Sequence, residues 1–160
     1  MKLLNQTLIA SALTLGAVFA NGQAVEAHEI KIEKLVIHHP WIRQPVGSAK
    51  VAAGYTTIDN TGADDDTLVS ATVEGVPVVQ IHEMKVEGDT MKMIELKDGL
   101  VIPHGKSVEL KPKSFHIMLM NFKSSYMVGE QVAGKLTFAK AGTVAIDFEV
   151  VDPDGEAHKH

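Results

Sequence analysis

Residues 115–120 read Phe115-His116-Ile117-Met118-Leu119-Met120, and the fold turns on how this stretch is read. On a β-strand, where side chains alternate between faces, Phe115, Ile117 and Leu119 share one side and His116, Met118 and Met120 the other. One side is an ordinary apolar core face; the other is a line of imidazole and thioether. Around it, short runs rich in Val, Ile, Thr and Leu recur at 31–37, 51–58, 67–71, 78–84, 91–96, 107–110, 131–138 and 143–151. Turn residues separate them: Asn60-Thr61-Gly62, Glu87-Gly88-Asp89, Lys97-Asp98-Gly99, Pro103-His104-Gly105 and Lys140-Ala141-Gly142. Past residue 28 no segment keeps a 3.6-residue period over helical length. With no internal repeat or linker, this spacing predicts one all-β domain over 28–152, a sandwich or barrel, with a Greek-key β-sandwich favoured.

The composition narrows the chemistry. The chain has 160 residues, 45% hydrophobic and 22% charged, with a net charge of −5 and no cysteine. That is enough apolar material for a core without disulfides and too little charge for a disordered chain. Mild acidity argues against a nucleic-acid partner, which recruits a basic face. Without cysteine there is no thiolate zinc site, Fe–S cluster, thiol nucleophile or blue-copper centre. Methionine (7) and histidine (8) remain as the distinctive side chains.

The first 27 residues read as a secretory signal. Lys2 is followed by the apolar run 8–19, then by small residues in signal-peptidase spacing, Val18 and Ala20 or Val25 and Ala27. The run is too short to span a bilayer, and the missing cysteine argues against a lipoprotein anchor. Among charged residues, removing 1–27 takes away only Lys2 and Glu26, so the net charge stays at −5. The expectation is an exported, periplasmic protein that is not membrane-embedded when mature. Cleavage after Ala27 would make His28 the amino terminus, a copper-chelating arrangement, although a plain strand leader is the simpler reading.

Residues 81–93 hold a second concentration of soft ligands: Ile-His-Glu-Met-Lys-Val-Glu-Gly-Asp-Thr-Met-Lys-Met. The polar centre is a hairpin signal. A turn on Glu87-Gly88 pairs His82 with Met93 and Met84 with Met91; a turn on Gly88-Asp89 pairs Met84 with Met93. Either register puts His82, Met84, Met91 and Met93 on one face. The other face carries Glu83, Lys85 and Lys92 with Ile81 and Ile94. Two imidazoles with one or two thioethers form a neutral, soft donor set suited to Cu(I) rather than zinc, calcium or magnesium. The alternative is a methionine-lined core or peptide groove, since Met is a common gap-filler. Two separate segments each carrying His-x-Met favour the metal.

At these residues the sequence resembles the PCu(A)C family of periplasmic copper chaperones. The family's His–Met…Met…His-x-Met pattern falls on His82, Met93, His116 and Met118, with ten, twenty-two and one residues in the intervals. His39-Pro40-Trp41-Ile42-Arg43, Ala52-Ala53-Gly54-Tyr55, Asn60-Thr61-Gly62, residues 99–103 with Gly105, Leu110-Lys111-Pro112 and Leu136-Thr137-Phe138 look like further landmarks, so the likeness spans about 29–151. The resemblance implies a cupredoxin-like β-sandwich that binds Cu(I) through those four side chains without enzymatic turnover. It also implies delivery to an apo-cuproprotein, foremost the copper site of cytochrome c oxidase subunit II, alongside a thioredoxin-like copper assembly protein. Met84, Met91 and Met120 fall off the pattern and are expected to line the site or serve as exchange ligands.

The tail 153–160 is polar, and His158 and His160 with nearby carboxylates offer a short Cu(II)-type donor set; a solvated tail is the plainer reading. His38 and His39 are expected to be structural, with Trp41 in the core and His104 in an exposed turn. Asp64-Asp65-Asp66 and Asp152-Pro153-Asp154-Gly155 lack the ligand spacing of a calcium loop and read as solvated turns. No Gly-x-Ser-x-Gly, His-Glu-x-x-His or phosphate loop is present. The competing functions are a copper enzyme using His28, a secreted peptide-binding or adhesion sandwich, and a copper-tolerance carrier unconnected to oxidase assembly.

Overall fold

Turn residues cut the chain into strands, and the strands alternate apolar and polar side chains along one sheet. A computed structural model describes residues 29–123 and 125–154. The signal segment 1–27, His28 and the tail residues His158 and His160 lie outside the described residues. The strands are β1 (Glu29–Ile32), β2 (Leu35–Arg43), β3 (Val51–Asn60), β4 (Asp66–Val73), β5 (Val78–Glu87) and β6 (Thr90–Glu95), followed by β7 (Leu100–Ile102), β8 (Ser107–Leu110), β9 (Phe115–Met120), β10 (Gln131–Phe138) and β11 (Gly142–Val151).

Two details depart from the sequence reading. The expected strand 31–37 is two strands: Glu33, at φ +52°, reverses the chain so that Ile32 pairs with Leu35. The missed strand β7 has only three residues, too few for alternation to register, yet it closes one end of the sheet against β4. Before it, Gly99 sits at φ +87°, where an added Cβ would lie 2.5 Å from the Leu68 carbonyl oxygen. That turn needs glycine for both reasons.

The strands run in the order β6-β5-β9-β8-β3-β2-β11-β10-β4-β7, with β1 on β2 and β9 also paired to β3. The sheet folds over so that β4 approaches β5 and β3 approaches β7. The two layers enclose Ile37, Ile58, Leu68, Ile102, Ile117, Leu119, Leu136 and Phe148, all without solvent exposure. β2 and β11, distant in sequence, pair in parallel, and β8 and β9 meet in parallel at Leu110–Phe115 across the turn 111–114.

Trp41 is buried as expected, but in a second small cluster with Tyr55 and Val151, against Ala53, separate from the main core. His38 is structural: its Nε2 contacts Asp59 Oδ2 at 2.9 Å. His39 takes φ +43° within an irregularity that lets β2 continue through Pro40. His104 occupies an exposed turn, held by Asp65. Asp66 corrects the solvated-turn reading. It is 6% exposed, and its carboxylate accepts N–H bonds from Thr67, Lys140 and Ala141 at 2.7, 2.9 and 2.9 Å. It ties the start of β4 to the β10–β11 turn.

Candidate metal centre

The site grows from β9, which lies between β5 and β3. His116 is opposite His82, Met118 is opposite Gln80 on one side and Ala53 on the other, and Met120 is opposite Val78 and Val51. Alternation sends Ile81, Ile117 and Leu119 into the core, so His82, His116, Met118 and Met120 take the outer face. The β5–β6 hairpin turns on Gly88-Asp89, with Gly88 at φ +62°. Of the two expected registers, this is the one that pairs Met84 with Met93 and leaves His82 opposite Glu95. Met93 is therefore diagonal to His82, not directly across from it.

Met84, Met93, His116 and Met118 line one surface pocket, together with Ala53, Tyr55, Arg43, Lys113 and the segment Gln44-Pro45-Val46. Gln44 Nε2 donates to the Tyr126 carbonyl at 2.9 Å, which holds that segment beside the sheet. His82 is not in the lining but stands beside it on the neighbouring strand, its ring centroid 5.7 Å from that of His116 and edge-on. Met91 and Met120 are not in the lining; Met91 pairs with Val86 nearer the hairpin tip.

The hydrogen bonds around the two imidazoles set their tautomers. His116 Nδ1 faces the Ser114 carbonyl oxygen at 3.2 Å. A carbonyl only accepts, so Nδ1 carries the proton and Nε2 keeps its lone pair. His82 Nε2 faces Gln80 Oε1 at 2.9 Å, so Nε2–H donates and Nδ1 keeps the lone pair. That Nδ1 is buried and has no hydrogen-bond partner, which is costly unless something else occupies it. With metal–nitrogen bonds of about 2 Å, two imidazoles sharing an ion hold their centroids roughly 5–6 Å apart, so the observed spacing fits. Burial, the largest influence, lowers the His116 pKa; the Ser114 bond opposes this and nearby His82 adds to it. A neutral ring is the form that binds metal.

The remaining donors are thioethers, which do not titrate. Among the described residues no three His, Asp or Glu side chains converge as a metal site. Met93 is 47% exposed while His116 is 4% exposed, so the site is closed behind and open in front.

The sequence reading missed Gln80 and Ser114, which orient the two rings, and Arg43 and Lys113 in the pocket wall. Gln80 lies two positions before His82 on β5, so strand parity could have flagged it, whereas Ser114 acts through its backbone carbonyl, which side-chain identity does not signal. Arg43 stood inside a quoted landmark but carried no role.

The LpqE-like family model matches residues 35–150. A candidate lipoprotein of Leifsonia xyli subsp. xyli, Lxx21020, is 31% identical over 115 residues, covering 72% of this chain and 68% of its own length. Among solved structures, the apo PCuAC domain from PmoF1 is 30% identical with a TM-score of 0.68, covering 79% of this chain and 100% of that one. The copper-bound PCuAC domain from PmoF2 is 28% identical with a TM-score of 0.67, covering 79% and 99%. Apo-DR1885 from Deinococcus radiodurans, 20% identical with a TM-score of 0.59 over 93% and 97%, shares the fold. The all-β architecture is thus the single cupredoxin-like domain of the PCuAC structures, and the chain belongs to the LpqE-like family.

Proposed function

We propose that this protein is an exported copper chaperone that holds Cu(I) through His82, Met93, His116 and Met118 and delivers it to an apo-cuproprotein. The observation that carries the reading is the pair of facing imidazoles, each hydrogen-bonded by protein at one nitrogen and free at the other, beside thioethers on the same sheet face. The likeness to a copper-bound PCuAC domain supports it, and the lipoprotein relative supports export. Among the described residues no helix is long and apolar enough to cross a membrane.

Cu(I) is the cargo. Buried His116 and half-buried His82 grip it from one side, and Met93 on the exposed edge strand is the donor an acceptor can displace first. Neutral donors permit stepwise exchange, because no ligand has to take up a proton to leave at neutral pH. Thiolates in the same place would oxidise outside the cytoplasm. The periplasm is the proposed compartment, cytochrome c oxidase subunit II the foremost recipient and a thioredoxin-like assembly protein the companion. His158 and His160 form a weak auxiliary Cu(II) site; unchanged Cu(II) binding in a chain ending at Pro153 would remove it.

The deciding experiment is an anaerobic Cu(I) titration against a chromophoric chelator, with Zn(II) in parallel. One equivalent of Cu(I) with sub-nanomolar Kd, about 12 kcal/mol or more, and little Zn(II) is expected. His116→Ala with Met118→Ala should abolish tight binding while the strand signature in circular dichroism persists. Equal affinity in that double variant would place copper elsewhere, and no Cu(I) binding by the wild type would return the face to a peptide groove.

A further inference from the structure

The charged residues of the pocket run against its use as a cation site. Arg43 and Lys113 line it and no carboxylate does, although the chain carries a net charge of −5. Neither has an ion-pair partner among the described residues. The Arg43 guanidinium lies over the Tyr55 ring, 6.0 Å from the centroid, and its Nε is buried without a hydrogen-bond partner, an unsatisfied donor. Lys113 is presented from the β8–β9 turn at φ +65°. Two positive charges beside a bound monocation raise its free energy, and a neutral donor set does nothing to offset them. An anion entering the same pocket reverses the sign of that interaction. The cavity, about 320 Å³, is far larger than one ion requires, and the exposed apolar side chains Val46, Val51 and Met93 rim it.

We infer that Arg43 and Lys113 form the docking point for an acidic partner, a copper-exchanging protein whose metal-binding loop is flanked by carboxylates. The inference rests on the copper-carrier reading for the partner's purpose, but the contact itself needs no metal. The partner's carboxylates meet the two cations, its apolar loop residues meet Val46, Val51 and Met93, and its own donor atoms arrive at the open side of the pocket. Charge complementarity is local here, since the net charge of the whole chain repels an acidic partner.

The test uses three synthetic peptides with one common Met-x-x-Met centre, flanked by runs of Asp, Ser or Lys, added to the full chain without copper. The methyl signals of Met84, Met93 and Met118 are followed by NMR. At low ionic strength the Asp-flanked peptide should bind about tenfold more tightly than the Ser-flanked one. That preference should disappear in Arg43→Gln/Lys113→Gln and near 1 M salt, where the Debye length is about 3 Å. Lys113→Gln alone, which leaves the Arg43–Tyr55 packing intact, should lose part of it. Tighter binding of the Lys-flanked peptide, or an Asp preference that survives the double substitution, overturns the inference. So does a gain in Asp-peptide affinity on truncation after Pro153, which would mean that the chain's own acidic tail fills the pocket. Methyl shifts that depend on protein concentration alone would assign the surface to a second copy and overturn it as well. The readout is metal-free, so failure of Cu(I) binding and failure of acidic docking are separate results.

Discussion

His116 meets two opposed demands: a buried position, and a polar ring that must stay neutral. Its folded-state pKa is lowered, by burial first, whereas in the unfolded chain the ring takes a proton near pH 6.5. Between those two values the unfolded state binds more protons, so stability rises with pH across the window and is complete above about 6.5. Acidification through the window removes it. Denaturant midpoints of the metal-free protein should fall between pH 7 and 5, and His116→Phe should flatten that slope; an unchanged slope would assign it to another group. Protons compete with copper for the same ring nitrogens, and burial moves the His116 share of that competition to lower pH. Asp66 makes the complementary case. Asp66→Ala strands three backbone N–H groups, at about 1 kcal/mol each, so unfolding by urea should show a loss of about 3 kcal/mol. That three consecutive aspartates contain one buried anchor was not legible, because its partners Lys140 and Ala141 lie over seventy residues away.

Parity was legible in the elements and register was not. Alternation alone puts His82, Met84, Met91 and Met93 on one face, since any allowed two-residue turn preserves it. Which methionine faces which depends on the turn, and glycine at positive φ settles it on Gly88-Asp89. The result separates two residues that the sequence treats alike: Met84 lies in the pocket wall opposite Met93, and Met91 lies toward the tip. Met84→Leu should therefore speed Cu(I) release to a chelator several-fold in stopped-flow traces, while Met91→Leu stays near wild type. Equal effects would mean that the hairpin slides in solution. The short strand β7 was invisible for a related reason, because it is specified by the turn at Gly99 more than by its own three side chains. Gly99→Ala should cost about 2–4 kcal/mol, combining a positive φ with a Cβ forced onto the Leu68 carbonyl; a thermal melt near wild type would show that the turn has another route.

Across the whole molecule, the proposed ligands sit on β5, β6 and β9, at one end of the strand order. β6 is the terminal strand there, and all six of its residues are exposed. It is therefore tied to the domain by its ladder with β5 and little else, which makes it the element freest to open. A metal shared between Met93 on β6 and His116 and Met118 on β9 bridges across β5, joining the edge to a strand whose inner face is core. Copper should then act on stability at two levels. With free Cu(I) buffered at 1,000 times Kd, mass action adds about 4 kcal/mol to global unfolding, which for a domain of this size is roughly a 10–20 °C rise in Tm. Hydrogen exchange should also show the β6 amides slowing by more than those of β10, which is remote from the site. A Tm rise without selective protection of β6 would mean that copper is held by β5 and β9 alone, and Met93 would lose its place among the ligands. Protection of β6 that vanishes in Met93→Leu while the His116 ring still responds to copper would identify Met93 as the displaceable donor through which cargo leaves.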